Sequence, residues 1–157
     1  MITYRKGNLL DTDDHIIVHG CNAQGKMNSG VAKAILEKYP KAYDDYKERH
    51  RLDIKYNPLG HIPLGIIIPS EQPDGKTIIN AITQLHYGYD GKKYVNYDAI
   101  DEAFRTITQE FGPPDCGHST NISMPMIGSG LGGGDWGIIE RIIERHMVDF
   151  RVTVWFL

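Results

Sequence analysis

The sequence predicts an α/β fold in which a mixed, mostly parallel sheet is covered by helices on both faces. Three observations predict it. Strand-like and helix-like segments alternate along the chain. Several strand-like segments, such as "HIIVHG" and "TIINAIT", are apolar almost throughout, as strands covered on both faces are. The 157 residues hold no repeat, low-complexity tract or linker, which suits one domain spanning 1–157 with a core of its own.

Each element has its own warrant. "ITYRKG" reads as a first strand ending at Gly7, and "HIIVHGCN" as a buried one through the β-branched run Ile16, Ile17, Val18. The polar stretch "NAQGKMNSG" follows. "VAKAILEKY" is helical, with Val31, Ile35 and Tyr39 one face apart in turn. Pro40 ends that helix and suits the start of the next, "KAYDDYKERH". "GHIPLGIIIPS" supplies one or two strands, "EQPDGK" a turn, "TIINAIT" another strand and "QLHYGYDGKKYV" a loop. In "NYDAIDEAFRTITQEF", Ile100, Phe104, Ile107 and Phe111 recur at helical spacing. After the turn region "GPPDCGHSTN" come the strand "ISMPMI", a glycine run, a helix with Ile138, Ile139, Ile142 and Ile143 on its apolar side, and the final strand "RVTVWFL".

Composition excludes several classes. A net charge of −3 supplies no general field for polyanions, so broad nucleic-acid binding is not expected. Cys21 and Cys116, in a chain that opens without a secretion signal, read as reduced cytosolic thiols. No run approaches the roughly 20 apolar residues of a membrane span. No metal-ligand motif is evident, although seven histidines are present.

Three strands end in loops suited to a ligand: Gly7-Asn8-Leu9; His19-Gly20-Cys21-Asn22 running on through Met27-Asn28-Ser29-Gly30; and Gly128-Ser129-Gly130-Leu131-Gly132-Gly133-Gly134-Asp135-Trp136. The last two lead into helices. Ligands of such sheets bind at the carboxyl ends of strands. Backbone amides at a helix N-terminus suit phosphate, and glycine lets the backbone come close. Two such loops suggest a diphosphate. Rival motifs fail at named places. Gly128, Gly130 and Gly133 satisfy G-x-G-x-x-G, but only one helix and one strand follow. Neither loop carries the Gly-Lys-Ser/Thr of a P-loop. Ile127 stands where a nucleophile elbow around Ser129 needs its first glycine. Cys21 has Met27, not arginine, six positions on. "DTDDH" precedes rather than follows its strand and reads as a solvated turn.

The segments "ITYRKGNLL", "IIVHGCNAQGKMNSGVAKAILEKYPKAYDDY", "IINAITQLHYG" and "MPMIGSGLGGGDW", with the closing "VTVWFL", together resemble the macro domain family over nearly the whole chain. The resemblance implies a three-layer α/β/α module that binds ADP-ribose. Within the family the chain is most similar to the small phage, bacterial and yeast ADP-ribose-1''-phosphate phosphatases. A related branch removes ADP-ribose from acidic side chains or DNA bases, and other members only bind it.

By the same resemblance, Gly7, Asn8 and Leu9 lie near the adenine, and Gly20, Cys21 and Asn22 border the distal ribose. Met27, Asn28, Ser29, Gly30, Val31 and Ala32 form the first phosphate loop. Ile127 leads into the second, Gly128, Ser129, Gly130, Leu131, Gly132 and Gly133. Many relatives carry an acid where Asn8 stands. Gln84 occupies the place of the lysine that attacks the anomeric carbon in the de-ADP-ribosylating branch, which disfavours a Schiff base. The implied reaction is hydrolysis of ADP-ribose-1''-phosphate to ADP-ribose and phosphate by a cytoplasmic monomer without metal or cofactor. Asn22, Asp135 and His86 are its candidate catalytic residues. Asp135 has two readings, a helix N-cap or a group that activates water. His86 reads as a general acid, a phosphate contact or an exposed side chain without a role. His19 reads as a site residue or a buried core histidine, and Tyr87 as a ring that stacks on the ligand or a lid over the core.

Overall fold

The computed structural model describes residues 2–88, 90, 92–112 and 120–157. Among these, one sheet contains β1 (Ile2–Lys6), β2 (Ile16–Asn22), β3 (Ile67–Glu71), β4 (Thr77–Gln84), β5 (Thr120–Pro125) and β6 (Phe150–Phe156). Its spatial order is β1-β6-β5-β2-β4-β3, and every pairing is parallel except β3 with β4. Parallel neighbours require crossovers, and four helices provide them: α1 (Gly30–Lys38), α2 (Pro40–Tyr56), α3 (Tyr97–Phe111) and α4 (Trp136–His146). The tight turn after β3 closes with Gln72 N–H donating to Lys76 O at 2.7 Å. As an edge strand, β3 tolerates Pro69.

The alternation of side chains along the central strands builds the three layers. Val18 and Ile79 pack with Ile100, Phe104 and Ile107 of α3 and Ile139 and Ile143 of α4. Their neighbours Ile17 and Ile78 pack on the other face with Ile35 of α1 and Ala42 of α2. These side chains are almost completely buried, and each such Ile or Phe contributes roughly 1.5–3 kcal/mol through burial.

The expected α/β class and layering hold. One boundary differs by more than a turn. The second helix runs to Tyr56, beyond "KAYDDYKERH", although Leu52, Ile54 and Tyr56 are exposed and carry no amphipathic pattern. Polar contacts support the extra turns: Asp53 is buried, pairs with Arg49 at 2.9 Å and accepts from Asn57 Nδ2 at 3.3 Å. "GHIPLGIIIPS" yields one strand, with Ile66 just ahead of it accepting from Ile82 N–H at 3.0 Å. Most of the turn region "GPPDCGHSTN", Cys116 included, lies outside the described residues. Among the described residues, no helix is long and apolar enough to cross a membrane.

Candidate functional site

The sheet opens at its centre. β2 and β5 pair only through Ile16↔Ile122 and Ile17↔Ser123, although β2 continues to Asn22 and β5 to Pro125. On its other side β2 stays paired with β4 up to Asn22. The carboxyl ends of β2 and β5 therefore part, and a crevice forms where the chain leaves β2 for one side of the sheet and β5 for the other.

Two chambers occupy this crevice and the edge beside it. A polar chamber of 340 Å³ is lined by the end of β2, the N-terminus of α1, Thr83 and Gln84 of β4, and the loop after β5. An apolar chamber of 520 Å³ is lined by Gly7, Asn8, Leu9, Leu10, Ala34, Ser129 and the terminal Trp155, Phe156 and Leu157. Gly30, Val31, Pro125, Met126 and Gly130 line both, so the chambers join at a waist.

At the waist the backbone is short of acceptors. Ser29 is the N-cap of α1, yet its side chain makes no capping bond. The first amides of α1 accordingly find no acceptor among the described residues; Lys33 N–H is the first to do so, bonding Ser29 O at 3.2 Å. In the facing loop, Ser129 N–H donates to Met126 O, Gly133 N–H to Gly130 O and Gly134 N–H to Gly128 O. The amides of Gly128, Gly130, Leu131 and Gly132 have no acceptor among the described residues. Gly128 and Gly133 have positive φ, 76° and 69°, and a Cβ there would strike Val95 and the Lys92 carbonyl. These glycines let the loop fold tightly, a course that leaves those four amides without an acceptor among the described residues.

The other helix start behaves differently. Asp135 caps α4, accepting from Gly137 N–H at 2.8 Å and more weakly from Ile138 N–H at 3.4 Å. The second loop therefore offers its own amides rather than the dipole end of its helix.

The base of the polar chamber is fixed by hydrogen bonds. Asn22 is buried; its Oδ1 accepts from Gln24 N–H at 2.9 Å and its Nδ2 donates to Lys26 O at 2.9 Å, leaving one amide hydrogen. The buried Tyr46 hydroxyl donates to Asn22 O at 2.7 Å and accepts from Lys26 N–H at 3.1 Å. Asn80 Nδ2 donates to Ala42 O and Ile68 O, so Asn80 Oδ1 is the acceptor for His19 Nε2–H at 2.6 Å. Burial lowers the His19 pKa to about 4, against a smaller opposing effect from Asn80, so the imidazole is neutral near pH 7. Burial also pushes the Cys21 thiol upward, away from a reactive thiolate.

The polar chamber brings together Gly20, Cys21, Asn22, Asn28, Ser29, Gly30, Val31, Ala32, Ile127, Gly128, Gly130, Leu131 and Gly132; Gly7, Asn8, Leu9 and Ser129 line the apolar one. Met27, Gly133, Asp135 and His86 line neither. Met27 is buried with Cys21 and Tyr46, and His86 is exposed, its backbone oxygen accepting from Gln84 Nε2 at 2.7 Å. His19 and Tyr87 both line the polar chamber.

Lys26 and Thr83 are among the lining residues not singled out from the sequence. Lys26 had a weak signal, a lysine inside a candidate ligand loop. Thr83 had only its place at the end of an apolar strand. Its Oγ1 is buried and has no hydrogen-bond partner among the described residues. Among the described residues no three His, Cys, Asp or Glu side chains group where they could hold a metal ion.

Comparison with known proteins bears on the family and the fold. The family model described as the macro domain matches residues 18–143. An ADP-ribose 1''-phosphate phosphatase of Saccharomyces cerevisiae is 32% identical, with 99% of this chain and 98% of that one covered. A DNA ADP-ribosyl glycohydrolase of Mycobacterium tuberculosis is 29% identical over 90% of this chain and 37% of its own length. Among solved structures, the macrodomain of Thermus aquaticus DarG has a TM-score of 0.76 at 22% identity, covering 100% of this chain and 99% of that one, a likeness of fold.

Proposed function

Because this chain belongs to the macro domain family, we propose that it binds ADP-ribose in the two-chambered groove and hydrolyses ADP-ribose-1''-phosphate to ADP-ribose and phosphate. The observation that carries the reading is the pair of acceptor-poor amide runs, one at the start of α1 and one in the loop after β5, meeting at one waist. A diphosphate there receives hydrogen bonds from both. The apolar chamber then takes the adenine and the polar chamber the distal ribose with its phosphate. The full-length similarity to the yeast phosphatase supports the same reading.

In the proposed reaction water attacks phosphorus, the bond from phosphorus to the 1''-oxygen breaks, and that oxygen takes up a proton. The main-chain amides stabilise charge developing on the phosphoryl oxygens. In this reading the remaining Asn22 amide hydrogen holds the distal sugar. Among the described residues no Asp or Glu side chain lines either chamber, so the reading leans on electrostatic stabilisation more than on a strong base. Asp135 and His86 stay proposals for activating water, and Asp135 has the observed cap as a rival role.

The assay is phosphate release from ADP-ribose-1''-phosphate in the presence of EDTA. Multiple turnovers are expected. Tight ADP-ribose binding without release would instead make the protein a reader. A second reading, glycohydrolysis of ADP-ribosylated protein or DNA, has the mycobacterial relative in its favour and Gln84 in the lysine's place against it. Loss of label from an ADP-ribosylated glutamate peptide or DNA strand, without phosphate release, would favour that reading.

A further inference from the structure

We propose that Lys26 determines specificity in the polar chamber, supplying the positive charge that selects a ligand bearing a phosphate on its distal ribose over the same ligand without one. The inference rests on the reading of the groove given above and goes beyond it to the residue that tells substrate from product.

Among the described residues, Lys26 is the only Lys, Arg, Asp or Glu side chain lining the polar chamber. Of the buried titratable lining groups, His19 is held unprotonated near pH 7 and the Cys21 thiol is held protonated, both by burial. Lys26 does not line the apolar chamber, so its charge serves the end of the groove away from the base. It makes no ion pair among the described residues, while its side chain is exposed.

The backbone beneath it is fixed. Lys26 N–H donates to the Tyr46 hydroxyl and Lys26 O accepts from Asn22 Nδ2. The preceding Gly25 has φ +77°, and its missing side chain leaves room for the His50 ring. The turn thus has one course, and it places the stem of Lys26 at the chamber. Lys47 stands in the same neighbourhood. His50 is held below its ordinary pKa by burial first, then by Lys47 and Lys26, so these groups share one neighbourhood on the α2 side of the loop. A carboxylate, Asp53, opposes this only as the smallest effect and is paired with Arg49.

The chemistry of the ligand follows. A phosphomonoester carries nearly two negative charges near pH 7. Neutral amides stabilise such a group, but a cation nearby offsets its desolvation more strongly. ADP-ribose presents only a hydroxyl at that carbon, so it gains little from Lys26. Removing the charge should therefore act on the phosphate-bearing ligand and spare the general fit of the nucleotide.

The test compares wild type, Lys26→Gln and Lys26→Arg. Initial rates give KM for ADP-ribose-1''-phosphate, and calorimetry gives Kd for ADP-ribose. In Lys26→Gln the preference for the phosphate-bearing ligand should fall about tenfold, chiefly through KM, and Lys26→Arg should restore most of it. An unchanged preference in Lys26→Gln, or equal losses for both ligands, would overturn the inference while phosphate release still supports the phosphatase. Should wild type release no phosphate, the phosphatase reading fails on its own account. Calorimetric Kd values for both ligands then judge Lys26 by the same ratio.

Discussion

Gly30 and Gly130 both line the waist between the chambers, and at each a Cβ would meet no heavy atom within 4 Å. At Gly128, by contrast, a Cβ would strike Val95. At the waist the open space is instead where the reading places the diphosphate. Gly30 has φ +58°, so a side chain there is strained as well as obstructive. Gly130 has no such constraint and gives the cleaner variant. Gly130→Val should weaken ADP-ribose binding by tenfold or more in calorimetry and leave the melting temperature within about 2 °C of wild type, as surface changes usually do. Undiminished binding would move the ligand away from this waist.

Asp135 separates capping from catalysis. Removing an N-cap acceptor usually costs about 1 kcal/mol, which for a chain of this length lowers the melting temperature by about 2–4 °C. Asp135→Ala should show that loss. Asp135→Asn keeps an oxygen for Gly137 N–H and should keep both stability and kcat/KM. If Asp135→Asn is as stable as wild type but tenfold or more slower, the carboxylate belongs to the chemistry.

That ambiguity shows where the sequence stops being informative. An acid before Trp136 satisfies a cap and a water-activating group equally well, and only the bond to Gly137 N–H separates them. The layers were legible because Ile17 and Val18, one residue apart, face opposite sides of a strand, and because Ile100, Phe104 and Ile107 keep helical spacing. The ligand loops were legible because glycine there has a steric reason. Lys26 was not, since its place at the chamber depends on a turn held by Tyr46, twenty positions further on. The last turns of α2 were also hidden, because polar contacts of Asp53 rather than an apolar face support them.

Thr83 offers a separate check on the polar chamber. Its buried hydroxyl has no partner among the described residues, and it lies against Gly20, where a Cβ would stand only 2.8 Å from Oγ1. A buried hydroxyl without a bond is unfavourable, so Thr83→Val should leave stability unchanged or raise it. If the distal sugar supplies the missing partner, the same change should weaken ADP-ribose roughly three- to tenfold, the worth of one neutral hydrogen bond. Improved stability with unaltered affinity would show that the ligand does not reach Thr83.

His19 gives the protein a pH dependence with a defined sign. Its pKa is lowered from 6.5 to about 4 by burial, with the Asn80 contact acting the other way. Between those values the unfolded chain binds a proton that the folded chain does not. Stability is therefore greatest above the unfolded pKa and falls as pH drops from about 6.5 towards 4. From pH 7 to pH 5 the linkage removes about 2 kcal/mol. Urea denaturation at the two pH values measures it, and His19→Gln, which cannot take up that proton, should remove most of the difference. Carboxylates such as Asp101, held low by His146 and then Arg145, lose their stabilising charge at more acidic pH, whereas His50, also held below its ordinary pKa by burial first, adds to the loss in the same window and accounts for what remains in the variant. A variant that keeps the full pH 5 loss would place the responsible proton on another group.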